Sequence, residues 1–87
     1  MATIRRDLRQ RDFERYEELY NEYKAGEILG LSRASGAIVR AATEAGWLEG
    51  DDVTAAGIPD MKPSAVRKLA TDILNHYAEV AAVDPNL

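Results

Sequence analysis

The stretch that decides the fold runs from residue 63 to residue 82 and reads PSAVRKLATDILNHYAEVAA. Its apolar residues recur at steps of three and four, which places them on one face of an amphipathic helix. Pro63 suits the first helical position, because the N–H that it lacks would have no partner there. Pro85 disfavours a helix that continues much further. The sequence therefore predicts a long helix over 63–82, and the rest of the chain must cover its apolar face. That predicted face consists of Val66, Leu69, Ala70, Ile73, Leu74, Tyr77 and Ala81.

Two shorter helices are predicted upstream. The first spans residues 10–25, where aromatic and aliphatic residues form one stripe and Gly26 provides a C-terminal stop. The second spans Arg33 to Ala45, with Ser32 as its N-cap and Gly46 just beyond its end. Its predicted buried face is Ala34, Ala37, Ile38, Ala41, Ala42 and Ala45. Residues 1–87 are thus predicted to form one all-α domain, a small three-helix domain with an acidic loop before the long C-terminal helix.

The segments outside these helices are predicted to be short and irregular. Residues 1–9 are expected to be extended or frayed, with Ile4 and Leu8 tucked against the body. The loop at 49–62 is expected to hold one short turn capped by Thr54, and Gly57 and Pro59 to end that turn. Ile58 and Met61 then pin the loop to the body.

Composition restricts the classes of function. The chain has no cysteine, so neither disulfides nor a thiolate metal site can form. No apolar run approaches the roughly 20 residues that span a bilayer, and the N-terminus does not resemble a signal peptide. We therefore expect a cytoplasmic protein that has no membrane contact. The net charge of −4 arises wholly from residues 25–60, since the segments on either side carry equal numbers of basic and acidic residues. An acidic surface of this kind makes nucleic acid an unfavourable partner.

The sequence contains no convincing catalytic or metal site. His76 is the single histidine and lies beside the apolar stripe of the long helix; a surface pair with Asp72, four residues earlier, is expected there rather than a catalytic pair. Asp51, Asp52 and Asp60 lack the alternating ligand spacing of a calcium loop. No glycine-rich segment is followed by a phosphate-binding lysine. We predict that the protein is not an enzyme, binds no metal and needs no cofactor.

Aromatic residues offer a candidate surface for a partner protein. Four of the six lie in the first predicted helix, at Phe13, Tyr16, Tyr20 and Tyr23, and Trp47 follows the second. Tyrosine and tryptophan are common both in cores and at interfaces, so the stripe and Trp47 have two interpretations, core packing or partner contact. Under the second, Phe13, Tyr16, Tyr20, Tyr23 and Trp47 contact the partner, and Glu49, Asp51 and Asp52 form a charged rim.

DNA binding is the main alternative. Residues 25–49 resemble a helix-turn-helix of bacterial regulators, with Gly30 in the turn and the helix from Arg33 to Ala45 as the recognition helix. Arg33, Ser35 and Ala37 would then contact bases. Gly36, where a branched apolar residue is usual, and the acidic neighbourhood count against this interpretation. A third interpretation, in which the acidic loop mimics nucleic acid, has only a few carboxylates to support it.

The order of several short motifs resembles that of small tail-assembly proteins of long-tailed bacteriophages. These motifs are Gly46-Trp47, Asp60-Met61-Lys62-Pro63, Val66-Arg67 and Asp84-Pro85-Asn86. The resemblance covers about two-thirds of the chain and is weakest over residues 1–24. It implies a tail assembly chaperone that binds the tape-measure protein or tail-tube subunits in the host cell cytoplasm. A small helical protein with spare apolar surface suits that role, and self-association into a homo-oligomer is compatible with it.

Overall fold

The computed structural model describes residues 3–24, 30–50 and 53–82; within these ranges the side chains of residue 31 and residues 80–82 are not described. Three α-helices carry the fold: α1 at Gln10–Lys24, α2 at Leu31–Glu44 and α3 at Pro63–Ala82. Two short strands, β1 at Thr3–Ile4 and β2 at Leu48–Glu49, pair antiparallel, and a 3₁₀ helix spans Ala55–Asp60. The predicted all-α class is confirmed.

The core is built around α2, which packs against both α1 and α3. Three of its side chains towards its C-terminal end, Val39, Ala41 and Ala42, are fully buried. Small side chains at these positions let the neighbouring helices approach closely. From α3, the buried side chains are Val66, Ala70 and Ile73. The combination of small and larger buried side chains on α2 therefore lets the shortest of the three helices pack against both of the others.

The N-terminal segment is fixed to the far end of α2. In the β1–β2 ladder Thr3 is paired with Glu49 and Ile4 with Leu48, and the amide of Arg5 donates to the Trp47 carbonyl at 2.7 Å. The Arg5 guanidinium also donates to the Gly46 carbonyl at 3.1 Å, close to the C-terminal end of α2, where a positive charge is favourable. Ile4 and Leu8 pack against the core, as predicted. The strand pairing itself was not predicted.

The end of α2 is a Schellman motif. The Gly46 amide bonds the Thr43 carbonyl at 3.1 Å, and the Trp47 amide bonds the Ala42 carbonyl at 2.9 Å. Gly46 adopts φ +78°, a left-handed conformation that glycine reaches without steric cost. This confirms the predicted role of Gly46, and it turns the chain so that Trp47 enters the core.

Three local predictions were wrong. The second helix begins at Leu31 rather than Arg33, so Ser32 lies inside the first turn and Gly30 is the N-cap, with no side-chain bond. The capped turn of the loop does not end at Gly57 but continues as a 3₁₀ helix to Asp60. Leu74 is 47 % exposed, because the apolar stripe of α3 is wider than the face that α2 covers. The predicted stop at Gly26 lies outside the described residues.

Other local predictions are confirmed. The Thr54 side chain accepts a hydrogen bond from the Gly57 amide at 3.1 Å and so caps the 3₁₀ helix. Ile58 is buried and Met61 packs against the core, which anchors this segment beside α2.

At α1, the carboxylate of Asp12 accepts from the Arg9 amide at 2.8 Å, one half of a capping box. The first helix therefore begins without a capping hydroxyl.

Candidate functional site

Two of the residues predicted to contact a partner belong to the core. Trp47 is fully buried and Tyr16 is 4 % exposed. The Trp47 ring centroid lies 4.7 Å from those of both Phe13 and Tyr16, and its Nε1 donates to the Asp12 carbonyl at 2.9 Å. The interpretation of Trp47 and Tyr16 as partner contacts is corrected, because neither ring can be reached without opening the fold. The alternative, core packing, is confirmed for both.

The other aromatic residues of α1 are half-buried against the core: Phe13, Tyr20 and Tyr23. Phe13 contributes to an aromatic cluster with Trp47, His76 and Tyr77, the last two on α3. The Tyr77 hydroxyl donates to a Glu17 carboxylate oxygen and so joins α3 to α1. Most of the aromatic stripe therefore serves to close the three helices on one another, and only Tyr23 also lines an open groove.

The predicted acidic rim is only partly described. Glu49 is exposed and lies in the β1–β2 ladder opposite Thr3, remote in the topology from the Tyr23 end of α1. Asp51 and Asp52 lie outside the described residues. Glu49 therefore does not line the groove to which Tyr23 contributes.

An open groove of approximately 620 Å³ lies instead over the N-terminal half of α2. Residues of the 3₁₀ helix and of the start of α3 line it, and so does Tyr23 near the end of α1. Gly36 and Ala37 on α2 form its floor with Ile58, Met61 and Val66. A methyl group built at Gly36 would lie 4.0 Å from Ile58 Cγ2, an ordinary contact distance, so alanine fits at this position and a larger side chain would extend into the groove. The groove is therefore apolar at its base and lined by four separate segments.

The charged side chains that line the groove are all basic. Among the described residues they are Arg33 and Arg40 on α2 and Arg67 on α3, and no carboxylate is included. The chain as a whole has a net charge of −4, so this sign is opposite to that of the average surface. It is also opposite to that predicted for the rim of a partner-binding surface. An apolar floor between guanidinium groups can hold an apolar ligand that carries negative charge.

One edge of the groove is rigidified by a contact between α1 and α2. The Arg40 guanidinium carbon lies 4.2 Å from the centroid of the Tyr23 ring, and Arg40 Nε donates to Glu44 at 2.9 Å. The Tyr23 hydroxyl donates to the same carboxylate. Partial burial and this bond raise the pKa of Tyr23, whereas the bonds from Tyr23 and Arg40 lower the pKa of Glu44. The three side chains therefore hold Arg40 in place beside the groove.

The described residues contain no cluster of metal-ligating side chains, and the single histidine packs on aromatic rings. Within residues 3–24, 30–50 and 53–82, no group of three or more histidine, aspartate or glutamate side chains is placed to hold a metal ion. His76 packs on the Phe13 and Trp47 rings at centroid distances of 6.0 and 5.9 Å, whereas the sequence predicted a surface pair with Asp72. In the same part of the chain, none of the helices combines the length and the hydropathy needed to cross a bilayer.

Sequence reasoning missed the groove because its parts are distant in the chain. Arg33 and Arg40, seven apart, share one face of α2 and were available as a signal. Arg67 and the 3₁₀ helix meet them only through the folding of the loop at 49–62. Gly36 was interpreted as a defect of a DNA-recognition helix, whereas in the structure it opens the groove floor.

A scan against protein-family models and searches of curated proteins and of solved structures returned no match to this chain.

Proposed function

We propose that the protein is a non-catalytic protein-binding module, and that it serves as a tail assembly chaperone of a long-tailed bacteriophage. In this role it binds the tape-measure protein or tail-tube subunits through the groove over α2. The observation that carries the proposal is the groove itself, with its apolar floor and half-open shape. A chaperone needs such a surface, because it must cover apolar segments of its client and later release them.

The motifs that resemble phage tail-assembly proteins overlap with this groove. Met61, Pro63, Val66 and Arg67 belong to those motifs, and all four line it. Gly46-Trp47, another of the motifs, ends α2 and fills the core beside it. The resemblance and the groove therefore support the same region as the binding surface.

DNA binding by α2 is less well supported by the geometry. Ser35, one of the three residues assigned to base contact, is 6 % exposed. Ala37 lies in the floor of a groove between walls, whereas a recognition helix must protrude to enter a major groove about 12 Å wide. Concave apolar surface suits a protein segment better than a duplex. Arg33, Arg40 and Arg67 are suited to phosphate contacts, so DNA binding is included among the outcomes that the experiments test.

Co-expression with the tape-measure protein and, separately, with the tail-tube protein of the same phage genome tests the proposal. We expect a complex with at least one of them, measured by size-exclusion chromatography with light scattering and by calorimetry. Gly36→Leu fills the groove and should weaken binding at least about tenfold, about 1.4 kcal/mol. Gly36→Ala adds only one methyl group and is the matched control, with affinity close to that of the parent protein.

Two outcomes would contradict the proposal. The first is the absence of a complex with either protein when the chain is folded, as judged by circular dichroism. The second is binding to duplex DNA whose affinity falls steeply with salt, as phosphate contacts require. The second outcome would favour the helix-turn-helix interpretation.

A further inference from the structure

We infer that the groove over α2 accepts the apolar face of an acidic amphipathic helix. This inference rests on the proposed function in one respect, since it names the chemistry of the partner for the same surface. It reverses the charge expected from the sequence, which predicted a rim of the acidic residues Glu49, Asp51 and Asp52.

Charge complementarity is the first argument. Arg33, Arg40 and Arg67 surround an apolar floor, and no described carboxylate lines it. Arg40 is bonded to Glu44, but within the described part of the chain neither Arg33 nor Arg67 has a carboxylate at ion-pair distance. A ligand with carboxylates beside its apolar face would supply those partners, and guanidinium–carboxylate pairs are the strongest of the common charge-assisted hydrogen bonds. A basic ligand would be repelled.

Backbone hydrogen bonding is the second argument, and it selects a helix over an extended peptide. A strand that binds by its backbone needs a free sheet edge. The groove is lined by residues of α2, the 3₁₀ helix and α3, together with Tyr23 and Met61, and by no β-strand residue, so the described lining offers no sheet edge. A helical ligand satisfies its own backbone and needs only apolar and ionic contacts. Gly36 and Ala37, with little or no side chain, leave room for such a helix to lie close to α2.

Three designed peptides of about 18 residues, a length at which helices become stable, test the inference. All carry leucines at the same helical face, and the polar face is built from glutamate, glutamine or lysine. Fluorescence anisotropy with the full chain at low salt measures their affinities. We expect the glutamate peptide to bind about tenfold more tightly than the glutamine peptide, and the lysine peptide to bind most weakly, as two or three exposed ion pairs imply.

A charge reversal provides the sharpest control. The double variant Arg33→Glu/Arg67→Glu should lose the preference for the glutamate peptide and favour the lysine peptide instead. The matched control is Arg11→Glu/Lys68→Glu, which alters net charge equally at exposed positions that do not line the groove. It should keep the order of the parent protein. Exchanging surface charges in this way leaves the buried core intact, so both variants are expected to fold.

Several results would overturn the inference. These are equal affinities for the three peptides, no binding of the glutamate peptide up to about 1 mM, and an equal loss of affinity in the control variant. Duplex DNA binding that only Arg33→Glu/Arg67→Glu abolishes would identify the arginines as a nucleic-acid site and overturn it as well. A complex with the tape-measure or tail-tube protein that is unaffected by charge reversal would leave the proposed function standing while this inference fails. Selectivity for the glutamate peptide without a complex with either phage protein would support this inference while the proposed function fails.

Discussion

At the scale of single residues, Trp47 belongs to the core although the sequence also allowed it to be a partner contact. Its ring is fully buried, contacts Phe13 and Tyr16, and bonds the α1 backbone through Nε1. It also follows directly on the Schellman turn at the end of α2, so one residue joins that turn to α1. A residue placed in this way contributes to stability and not to recognition.

We predict that Trp47→Phe lowers the free energy of unfolding by about 1–3 kcal/mol. The change removes buried area, and it also removes the hydrogen bond that the Trp47 Nε1 donates to the Asp12 carbonyl. Urea unfolding followed by far-UV circular dichroism measures the change, since the tryptophan fluorescence is lost. If Trp47→Phe left stability unchanged and abolished partner binding, Trp47 would be a partner contact and not a core residue.

The buried Tyr16 makes the free energy of unfolding depend on pH in the alkaline range. Burial, with smaller contributions from Tyr20 and Tyr77, raises its pKa from 10.0 to about 12. Above pH 10 the unfolded chain releases the phenolic proton while the folded chain retains it, so ionisation favours unfolding. The stability provided by the neutral phenol is complete below about pH 10 and is lost as the pH rises towards 12.

We therefore expect the parent protein to lose about 2–3 kcal/mol more stability than Tyr16→Phe between about pH 10 and about pH 12. Urea midpoints across this range measure the difference. Tyr20→Phe, which alters a half-buried ring, is the control and should follow the parent curve more closely. Identical pH profiles for all three proteins would show that the Tyr16 hydroxyl is hydrated in solution.

At the scale of elements, two glycines have opposite roles in α2, one inside the helix and one just past its end. Gly36 lies within the helix and a methyl group there meets only ordinary contacts, whereas Gly46 has φ +78° and ends the helix. Glycine costs helical stability inside a helix and is favoured at its left-handed end.

The same substitution at the two sites should thus have opposite signs. Gly36→Ala should stabilise the protein by about 0.5–1 kcal/mol, and Gly46→Ala should destabilise it by about 1–2 kcal/mol. Thermal or urea unfolding measures both. Destabilisation by Gly36→Ala would mean that the groove floor is closed in solution.

The faces of α3 offer a second paired prediction. Ile73 is fully buried and Leu74, the next residue, is 47 % exposed. Ile73→Ala should cost about 2–5 kcal/mol through lost burial and a cavity. Leu74→Ala should change stability by no more than about 0.5 kcal/mol, as urea unfolding at two protein concentrations would reveal. A large, concentration-dependent loss at Leu74 would instead indicate that copies of the chain cover this face in a homo-oligomer.

At the scale of the whole molecule, helix periodicity predicted the three helices well, because each has a continuous apolar stripe and a stop signal such as Gly46. The bounds of α3 agree with the prediction, and those of α2 differ by two residues at its start and by one at its end. Periodicity could not show how much of a stripe its neighbours would cover, so Leu74 was expected inside and Tyr16 remained ambiguous. The groove was out of reach for the same reason, since Arg33, Ile58 and Arg67 meet only in the folded chain.

The claim on which the account depends is that this groove, and not the aromatic stripe of α1, binds protein. The most direct measurement is amide chemical-shift mapping of the ¹⁵N-labelled chain during titration with the glutamate peptide. The account predicts that the largest shifts fall at residues 33–40, 58–61 and 63–67, whose segments line the groove. Shifts concentrated at residues 13–20 instead, with the groove amides unmoved, would contradict it.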